Sequence, residues 1–538
     1  MTLQDTRVAP ESTTVPAMLS HRGRIDARLQ AVVTADHSVT YAELNRLSRE
    51  RAERLVAAGV VKGDRVGLLA PNGVDWAVSA YAVLRIGAVL VPLSTLLRPP
   101  ELLEQLTIAS VSHLIAVPSF RDRHYFDDLD LVAPGLATAT GAGHRHQGAP
   151  ALRGLWRTDA WPTARAPVSV VEALEEQVRP ADDLVVLFTS GSRGAPKGVI
   201  HTQGTALRAV AAGLEARCVG PGERLYIPMP FFWTGGFGQG LLTALVAGAT
   251  LLTEAEPDPE RTLELLARQR ATLFRGWPDQ ASRLAAHPSF AQADLSSLRD
   301  GSLAPVLPPD RRPAPGARAN LFGMTETFGP YCGDRLDLDL APGKEGSCGR
   351  PFAGVEVRVS DPDTGAELPP NQQGEIWVRG PNLLRAICRR SRASVFTDDG
   401  WYRTGDLGRL DAAGYLWSAG RLDDMVKVKG ATVYPSEVEA ALRAVTAVQA
   451  AHVTDVPADN GGREIGALVI CSMPVAELRE AVRARLSAFK VPTRWFVTPD
   501  ADEVPMLASS KVDKAALQQL LTDRGAGLAG GDRVSGTR

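Results

Sequence analysis

Short apolar runs alternate with stretches of helical apolar spacing along the first half of the chain. A short apolar run bounded by turn residues is typical of a buried strand, whereas apolar residues three and four positions apart are typical of a helix. An early example comprises strand Val66–Ala70, helix Val74–Arg85 and strand Gly87–Val91. This order predicts a strand–helix–strand crossover, which is the unit of a parallel sheet in an α/β fold.

The same alternation predicts further elements as far as residue 286. The predicted helices are Tyr41–Ala58, Pro100–Ile108, Thr202–Arg217, Gly238–Val246, Glu260–Gln269 and Pro278–Ala286. The predicted strands are His113–Val117, Asp183–Phe188, Leu225–Ile227, Thr250–Leu252 and Thr272–Phe274. The pattern fails over Ala133–Pro167, which is dense in Ala, Gly, Pro, His and Arg, so we expect a long surface excursion there. Within it, His144 and His146 lack carboxylate partners and are expected to be inert.

The pattern changes to β character past Asn320. Val355–Val359 and Glu375–Arg379 alternate apolar and polar residues, which indicates half-buried antiparallel strands. The end of the chain predicts a separate small α+β unit. Its elements are helices Pro435–Val445 and Val475–Leu486 and strands near Ala450–Val453 and Ile465–Ile470.

Composition bounds the class of protein. A chain of 538 residues is too long for one core, so at least two domains are expected. The net charge of −2 argues against a nucleic-acid or anionic-membrane binder. Five dispersed cysteines without a Cys-x-x-Cys pair support neither a zinc knuckle nor a disulfide framework. Without a signal-peptide pattern or an apolar stretch long enough to span a bilayer, a cytoplasmic protein is expected.

A glycine-rich stretch stands between predicted strand Asp183–Phe188 and predicted helix Thr202–Arg217. Residues 187–202 read LFTSGSRGAPKGVIHT. Such a loop can present backbone N–H groups and cations to a polyphosphate. It is not a Walker loop, because Pro196 stands where that motif requires Gly. Composition alone therefore favours a surface turn, and later stretches decide otherwise.

Four later stretches add the residue types of a nucleotide site: NLFGMTE at 320–326, WYRTGD at 401–406, GRLDDMVKVKG at 420–430 and PMLASSK at 505–511. In this order, together with the glycine-rich loop, they resemble the adenylate-forming (AMP-binding) enzyme superfamily of acyl-CoA synthetases, amino-acid-adenylating domains and luciferases. The resemblance covers roughly Ser38 to Leu521. It implies a large N-terminal domain of α/β layers with a β-rich subdomain (17–422) and a small mobile C-terminal α+β domain (423–523). Disordered ends are expected at 1–16 and 524–538.

The resemblance also implies a set of site residues. Those for ATP are Thr189, Ser190, Gly191, Ser192, Arg193, Gly194, Lys197, Phe322, Gly323, Thr325, Asp406, Arg421 and Lys511. Within this set the glycine-rich loop holds the β- and γ-phosphates, Phe322 stacks on adenine, Asp406 binds the ribose with help from Arg421, and Thr325 contacts the α-phosphate. Lys511, Thr325, Glu326 and Lys197 are the implied catalytic residues, and Glu326 the implied ligand of Mg²⁺. Asp423 falls at the implied hinge, and Val428, Lys429 and Gly430 in the implied coenzyme A channel.

The sequence departs from the family pattern at three places. Arg193 replaces a usual Thr, Ala386-Ile387 replaces a usual Gly-Tyr, and Ser510 replaces a usual Gly. A guanidinium at Arg193 could grip pyrophosphate or crowd it. The acids and lysines that contact ATP in the family are all present.

The acyl-pocket motif spans Phe232, Trp233, Thr234, Gly235 and Gly236. Amino-acid-activating relatives place an Asp at the position of Trp233, and without it a buried ammonium would stay unpaired at a cost of several kcal/mol. We therefore expect ATP-dependent activation of an aliphatic or aryl carboxylic acid that lacks an α-amino group, with Gly235-Gly236 leaving space for its body. Coenzyme A is the expected acceptor, because no carrier domain follows Lys511. A separate carrier protein, an amine acceptor, a degenerate nucleotide-binding homologue and a homodimer stay open.

Overall fold

The computed structural model describes residues 14–137, 146–189, 196–422, 426–428, 431–433, 435–458, 463–486, 490–507 and 511–527. The chain divides into two compact units by its internal contacts. The first unit contains the described residues up to 357, together with 378–402 and 413–416. The second contains 358–377, 403–412 and the described residues from 417 onward.

Most helices of the first unit coincide with helices predicted from apolar periodicity, whereas α5 and α6 were not predicted. They are α1 (Val15–Ile25), α2 (Tyr41–Ala57), α3 (Val74–Arg85), α4 (Pro99–Ile108), α5 (Tyr125–Val132), α6 (Val168–Gln177), α7 (Gln203–Ala212), α8 (Thr234–Gly236), α9 (Thr243–Ala247), α10 (Pro259–Arg268) and α11 (Pro278–Ala286). A π-helix, Phe237–Leu242, joins α8 to α9. The predicted bounds of α3 and α11 are confirmed, whereas α1 was not predicted and begins inside the segment expected to be disordered. Its Val15, Met18 and Leu19 are buried in the core.

The first unit contains two large sheets. The five-stranded sheet has the order β13 (Leu273–Phe274), β11 (Arg224–Tyr226), β12 (Thr250–Leu252), β1 (Gln30–Val33) and β2 (Ser38–Thr40). The seven-stranded sheet has the order β19 (Ala386–Ile387), β10 (Lys197–Thr202), β9 (Asp183–Thr189), β4 (Val89–Leu93), β3 (Arg65–Leu69), β5 (His113–Ala116) and β8 (Gly154–Arg157). Small sheets add β6 (Ser119–Phe120) with β7 (Arg123–His124), and β14 (Phe322–Met324), β15 (Gly329–Gly333) and β16 (Arg350–Pro351).

The registers confirm the predicted parallel crossover. β3 pairs in parallel with β4 and with β5, and β11 pairs in parallel with β12. The expected surface excursion over 133–167 is wrong in its last part, because β8 adds to the sheet as a parallel neighbour of β5. Its tryptophan, Trp156, stacks on the buried His113 with ring centroids 5.1 Å apart. His144 lies outside the described residues, and the ring of His146 lies within hydrogen-bond distance of Pro134 O and Gly148 N.

In its described residues the second unit holds β elements and three α-helices. It contains most of a sheet formed by β17 (Glu356–Ser360), β18 (Gln373–Arg379), β20 (Tyr402–Leu410) and β21 (Leu416–Arg421). Further elements are β22 (Val426–Val428), β23 (Ala431–Val433), α12 (Pro435–Arg443), β24 (Ala450–Pro457), β25 (Arg463–Ile470), α13 (Val475–Arg483), β26 (Arg494–Thr498), α14 (Lys514–Arg524) and β27 (Ala526–Gly527). The α+β character of the end of the chain is confirmed, although β26 and α14 were not predicted. The mixed α/β architecture agrees with the predicted fold class.

Candidate functional site

The glycine-rich loop connects two antiparallel strands. Thr189, the last residue of β9, pairs with Lys197, the first residue of β10, and the two strands stay paired as far as Thr202. The expectation that the loop runs on to the helix at Thr202 is therefore wrong in its second half, because the strand Lys197–Thr202 stands between them. Val199, Ile200 and His201 are buried and continue the sheet, and α7 begins only at Gln203, where Thr202 caps it. Ser190, Gly191, Ser192, Arg193 and Gly194 lie outside the described residues. Phosphate binding here would use the loop's own N–H groups rather than the N-terminus of a helix.

The residues Ala386-Ile387, which depart from the family pattern, have a structural role. As β19 they pair antiparallel with β10, Ile387 beside Val199 and Ala386 beside Ile200. They therefore extend the sheet along the strand that follows the glycine-rich loop. An edge strand needs backbone groups rather than particular side chains, which explains why another residue pair can serve there.

Phe322 and Gly323 lie on β14, and Thr325 begins the tight turn that joins β14 to β15 in a hairpin. β14 pairs with β15, and the Phe322 ring meets the Tyr331 ring edge to face at 5.7 Å. A Cβ on Gly323 would lie 2.1 Å from the carbonyl oxygen of Gly329, so the hairpin requires glycine at this position. A 3-10 turn over Thr325–Thr327 then carries the threonine and the carboxylate assigned to the α-phosphate and to Mg²⁺.

His201 was not among the predicted site residues, yet it holds this turn. Its Nε2 lies 2.8 Å from the carbonyl oxygen of Thr325, and its Nδ1 lies 3.3 Å from the hydroxyl of Thr205. Complete burial lowers the pKa of His201 to about 4, so the ring is neutral and its Nε2–H donates to Thr325. The link joins the strand after the glycine-rich loop to the turn of Thr325. No sequence signal indicates it, because the two residues are 124 positions apart.

Glu326 is a buried carboxylate. Its side chain accepts a hydrogen bond from the Tyr402 hydroxyl at 3.2 Å, and its backbone oxygen accepts one from Leu384 N at 2.8 Å. The described residues contain no group of three or more His, Cys, Asp or Glu side chains that could hold a metal alone. Mg²⁺ commonly binds one or two carboxylates and takes its other ligands from phosphates and water. The single carboxylate of Glu326 fits that arrangement.

The acyl-pocket motif lies next to the turn of Thr325. The hydroxyl of Thr234 is 3.5 Å from the hydroxyl of Thr325. Trp233 meets Phe232 edge to face at 5.2 Å, and it meets Trp277 in the same way at 5.8 Å. Trp277 was missed by the sequence analysis, because a tryptophan before the proline of a helix start gives no signal of a pocket. Three aromatic rings thus form a continuous wall beside the Thr234 hydroxyl.

The glycines of this motif do not leave open space. A Cβ on Gly236 would lie 2.2 Å from the carbonyl oxygen of Pro230, and one on Gly235 would lie 2.3 Å from the sulfur of Met229. The expectation of free volume is therefore wrong, because backbone and side-chain atoms already fill it. Asn72 fastens the same segment from the loop after β3, accepting from Phe231 N at 2.7 Å and donating to Met229 O at 3.0 Å.

Four of the predicted site residues lie in the described part of the second unit: Asp406, Arg421, Val428 and Lys511. Arg421 Nη1 lies 3.0 Å from Asp406 Oδ1 and donates to the carbonyl oxygen of Thr404, so the expected association of Asp406 with Arg421 is present. Gly405, within β20, has φ +69°, a left-handed conformation that favours glycine. The side chain of Lys511 is exposed. Val428 pairs with Ala431 across a short hairpin. Asp423, Lys429, Gly430 and Ser510 lie outside the described residues.

Comparison with known proteins gives a consistent result. The family model described as AMP-binding enzyme matches residues 21–387. A feruloyl-CoA synthase of an Amycolatopsis species is 31% identical over 514 residues, covering 93% of this chain and 97% of that protein. The long-chain-fatty-acid–CoA ligase FadD13 of Mycobacterium tuberculosis is 28% identical, covering 93% and 97%.

Solved structures agree with these relatives. ATP-bound MatB from Rhodopseudomonas palustris superposes with a TM-score of 0.77 at 26% identity, covering 95% of this chain and 99% of that one. A fatty acyl CoA synthetase of Mycobacterium tuberculosis superposes with a TM-score of 0.71 at 26% identity, covering 94% and 98%. Among the residues that the structure describes, no helix combines the length and apolar character needed to cross a bilayer.

Proposed function

The chain belongs to the AMP-binding enzyme family, and from that premise we propose that it joins a carboxylic acid without an α-amino group to coenzyme A through an acyl adenylate. It matches CoA ligases over nearly their whole length, so the enzyme class is an AMP-forming acid–CoA ligase. One observation carries the proposal for this site: the hydroxyl of Thr234, the residue after Trp233, contacts the hydroxyl of Thr325. It brings a binding site for an uncharged acyl body next to the residues proposed for the α-phosphate.

The first half-reaction needs no general base. A carboxylate is already an anion at neutral pH. Its oxygen attacks the α-phosphorus of ATP, the bond to the pyrophosphate oxygen breaks, and pyrophosphate leaves. The barrier comes from repulsion between anions and from charge on the departing group, so the residues act by positioning and by electrostatic stabilisation.

Each residue of the proposed site has one task. Phe322 stacks on adenine, Asp406 and Arg421 bind the ribose, and Thr325 holds the α-phosphate. The glycine-rich loop, Arg193 included, and Lys197 bind the β- and γ-phosphates, and Lys511 neutralises charge on the acid and the α-phosphate. Glu326 would hold Mg²⁺, which would supply further positive charge at the phosphates.

The second half-reaction acts on the same bound acyl adenylate. The thiol of coenzyme A attacks the acyl carbonyl, the bond to the phosphate oxygen breaks, and AMP leaves. We propose that the C-terminal domain, 423–523, turns about Asp423 between the two steps, so that Val428, Lys429 and Gly430 replace Lys511 beside the adenylate. Such a movement supplies different groups to one bound intermediate.

The acid is proposed to be aryl or compact and alicyclic rather than a long flexible chain. Phe232, Trp233 and Trp277 form an aromatic wall, and Gly236 is packed against backbone rather than against a void. Aromatic walls favour flat ligands through offset or edge-to-face contact. The feruloyl-CoA synthase among the relatives is consistent with this class.

A panel of acids tests the proposal. Carboxylate-dependent exchange of pyrophosphate into ATP is measured with aryl, short aliphatic, long-chain and amino acids, and products are then analysed with coenzyme A present. The proposal expects exchange with aryl acids, little with amino acids, and formation of acyl-CoA and AMP. Adenylate without acyl-CoA would favour a carrier protein or an amine as acceptor. No exchange with any acid would favour a degenerate nucleotide-binding homologue.

A further inference from the structure

Phe328, the residue after the turn of Thr325–Thr327, has a strained backbone. Its φ is +56°, in the left-handed region, and its side chain is completely buried. A bulky residue rarely adopts this conformation, which persists only where the surrounding structure enforces it. Strain of this kind is concentrated at functional sites. The contacts of Phe328 therefore show what fixes the conformation of the turn of Thr325–Thr327.

Gln239 holds the strained residue. Its side-chain Nε2 donates to the carbonyl oxygen of Phe328 at 2.9 Å. Two glycines allow the close approach: a Cβ on Gly238 would lie 2.8 Å from the Phe328 ring, and a Cβ on Gly329 would lie 2.1 Å from Gln239 Nε2. Gly329 also has φ +113°, which favours glycine independently.

Gln239 belongs to the π-helix Phe237–Leu242, which begins directly after Gly236 of the acyl-pocket motif. A π turn contains more residues than an α turn, so its side chains point in different directions from those of a continuous α-helix. Such turns are rare and often occur at functional sites. Here the irregular turn aims Gln239 from the acyl-pocket helix towards the turn of Thr325 and Glu326.

We infer that Gln239 is a positioning residue, which through Phe328 keeps Thr325 and Glu326 at a fixed distance from the acyl pocket. The inference rests on the proposed function of Thr325 and Glu326 but adds a residue that contacts neither substrate. Misplacement of reacting groups by about 1 Å can cost about 100-fold in rate. Loss of Gln239 should therefore affect the chemical step more than the binding of the acid.

The test compares Q239M with Y81F. Q239M keeps the length of the side chain and removes its donor. Y81F removes a buried hydroxyl that donates to the same π-helix, at Leu241 O, 3.3 Å away. Each variant loses one hydrogen bond made by or to a residue of the π-helix, so the two are matched in that loss. Pyrophosphate exchange gives kcat and the KM of the acid for each, and thermal unfolding gives Tm.

We expect Q239M to lower kcat about 10- to 100-fold with the KM of the acid changed less than about threefold, while Y81F keeps kcat within about threefold. A kcat of Q239M close to that of the wild type, or an equal loss in Y81F, would overturn the inference. If Q239M does not fold, Q239N, which withdraws the amide by one methylene, replaces it under the same criteria. Absence of exchange in the wild type would instead contradict the proposed function.

Discussion

The hydroxyl groups of Thr234 and Thr325 lie 3.5 Å apart, although the two residues are 91 positions apart in the chain. Thr234 follows the aromatic wall of the acyl pocket, and Thr325 begins the turn proposed to hold the α-phosphate. In the proposed function, the pair marks the place where the carboxylate of the acid and the phosphorus of ATP would meet. Reaction at this place requires that the segments of Thr234 and Thr325 keep their positions.

Lys511 is the first residue to test. Lys511→Ala should lower the rate of pyrophosphate exchange about 100- to 1000-fold, because one charged donor to the transition state is lost. Lys514→Ala, at the first position of α14, is the matched control and should leave the rate near that of the wild type. Equal rates in the two variants would remove Lys511 from the proposed mechanism.

Trp277 should determine which acids are accepted. Replacing it by alanine removes one ring of the aromatic wall, so kcat/KM for a preferred aryl acid should fall about 10- to 200-fold relative to a bulkier acid. The ratio of kcat/KM values for the two acids is the measurement. Trp161→Ala serves as the control, because Trp161 packs under Arg51 away from this wall. An unchanged ratio in the Trp277 variant would place the acid elsewhere.

Gly236 should tolerate no side chain. In Gly236→Ala the new methyl group would meet backbone oxygens of Pro230 and Met229 at 2.2 and 2.4 Å, so we expect a loss of at least about 1–3 kcal/mol in the free energy of unfolding. Gly240→Ala is the control, since its nearest heavy atom would be 3.6 Å away. Urea unfolding of both variants measures the difference. Equal stability would mean that the segment Met229–Pro230 can shift.

Stability should decline in mild acid because of His201. Burial lowers the folded pKa of His201 to about 4, whereas the unfolded chain binds the proton near pH 6.5. The unfolded state therefore carries more protons between these values, and the free energy of unfolding falls as pH decreases from about 6.5 to about 4. Urea unfolding at a series of pH values should show a smaller slope in His201→Gln than in the wild type. Buried His113, whose pKa is also lowered to about 4, keeps part of the slope in the variant.

Much of the fold could be predicted from spacing along the chain. The helices Val74–Arg85 and Pro278–Ala286 occur with their predicted bounds, because apolar periodicity and a proline at the helix start are local signals. The strand β10 was missed and its residues were placed in the loop before the helix, because residues 197–202 form a strand through their pairing with β9. β8 was missed for the same reason: its pairing with β5 makes it a strand.

The amino-acid sequence by itself determined the family, the order of the motifs and most of the regular elements, because these depend on residue type and on neighbours a few positions away. The tertiary structure alone decided which distant residues touch. It brought His201 and Thr234 to Thr325 and Gln239 to Phe328, and it showed that the glycines at 235 and 236 are packed against neighbouring atoms. Such contacts arise from the packing of whole elements against one another. Local spacing carries no record of that packing.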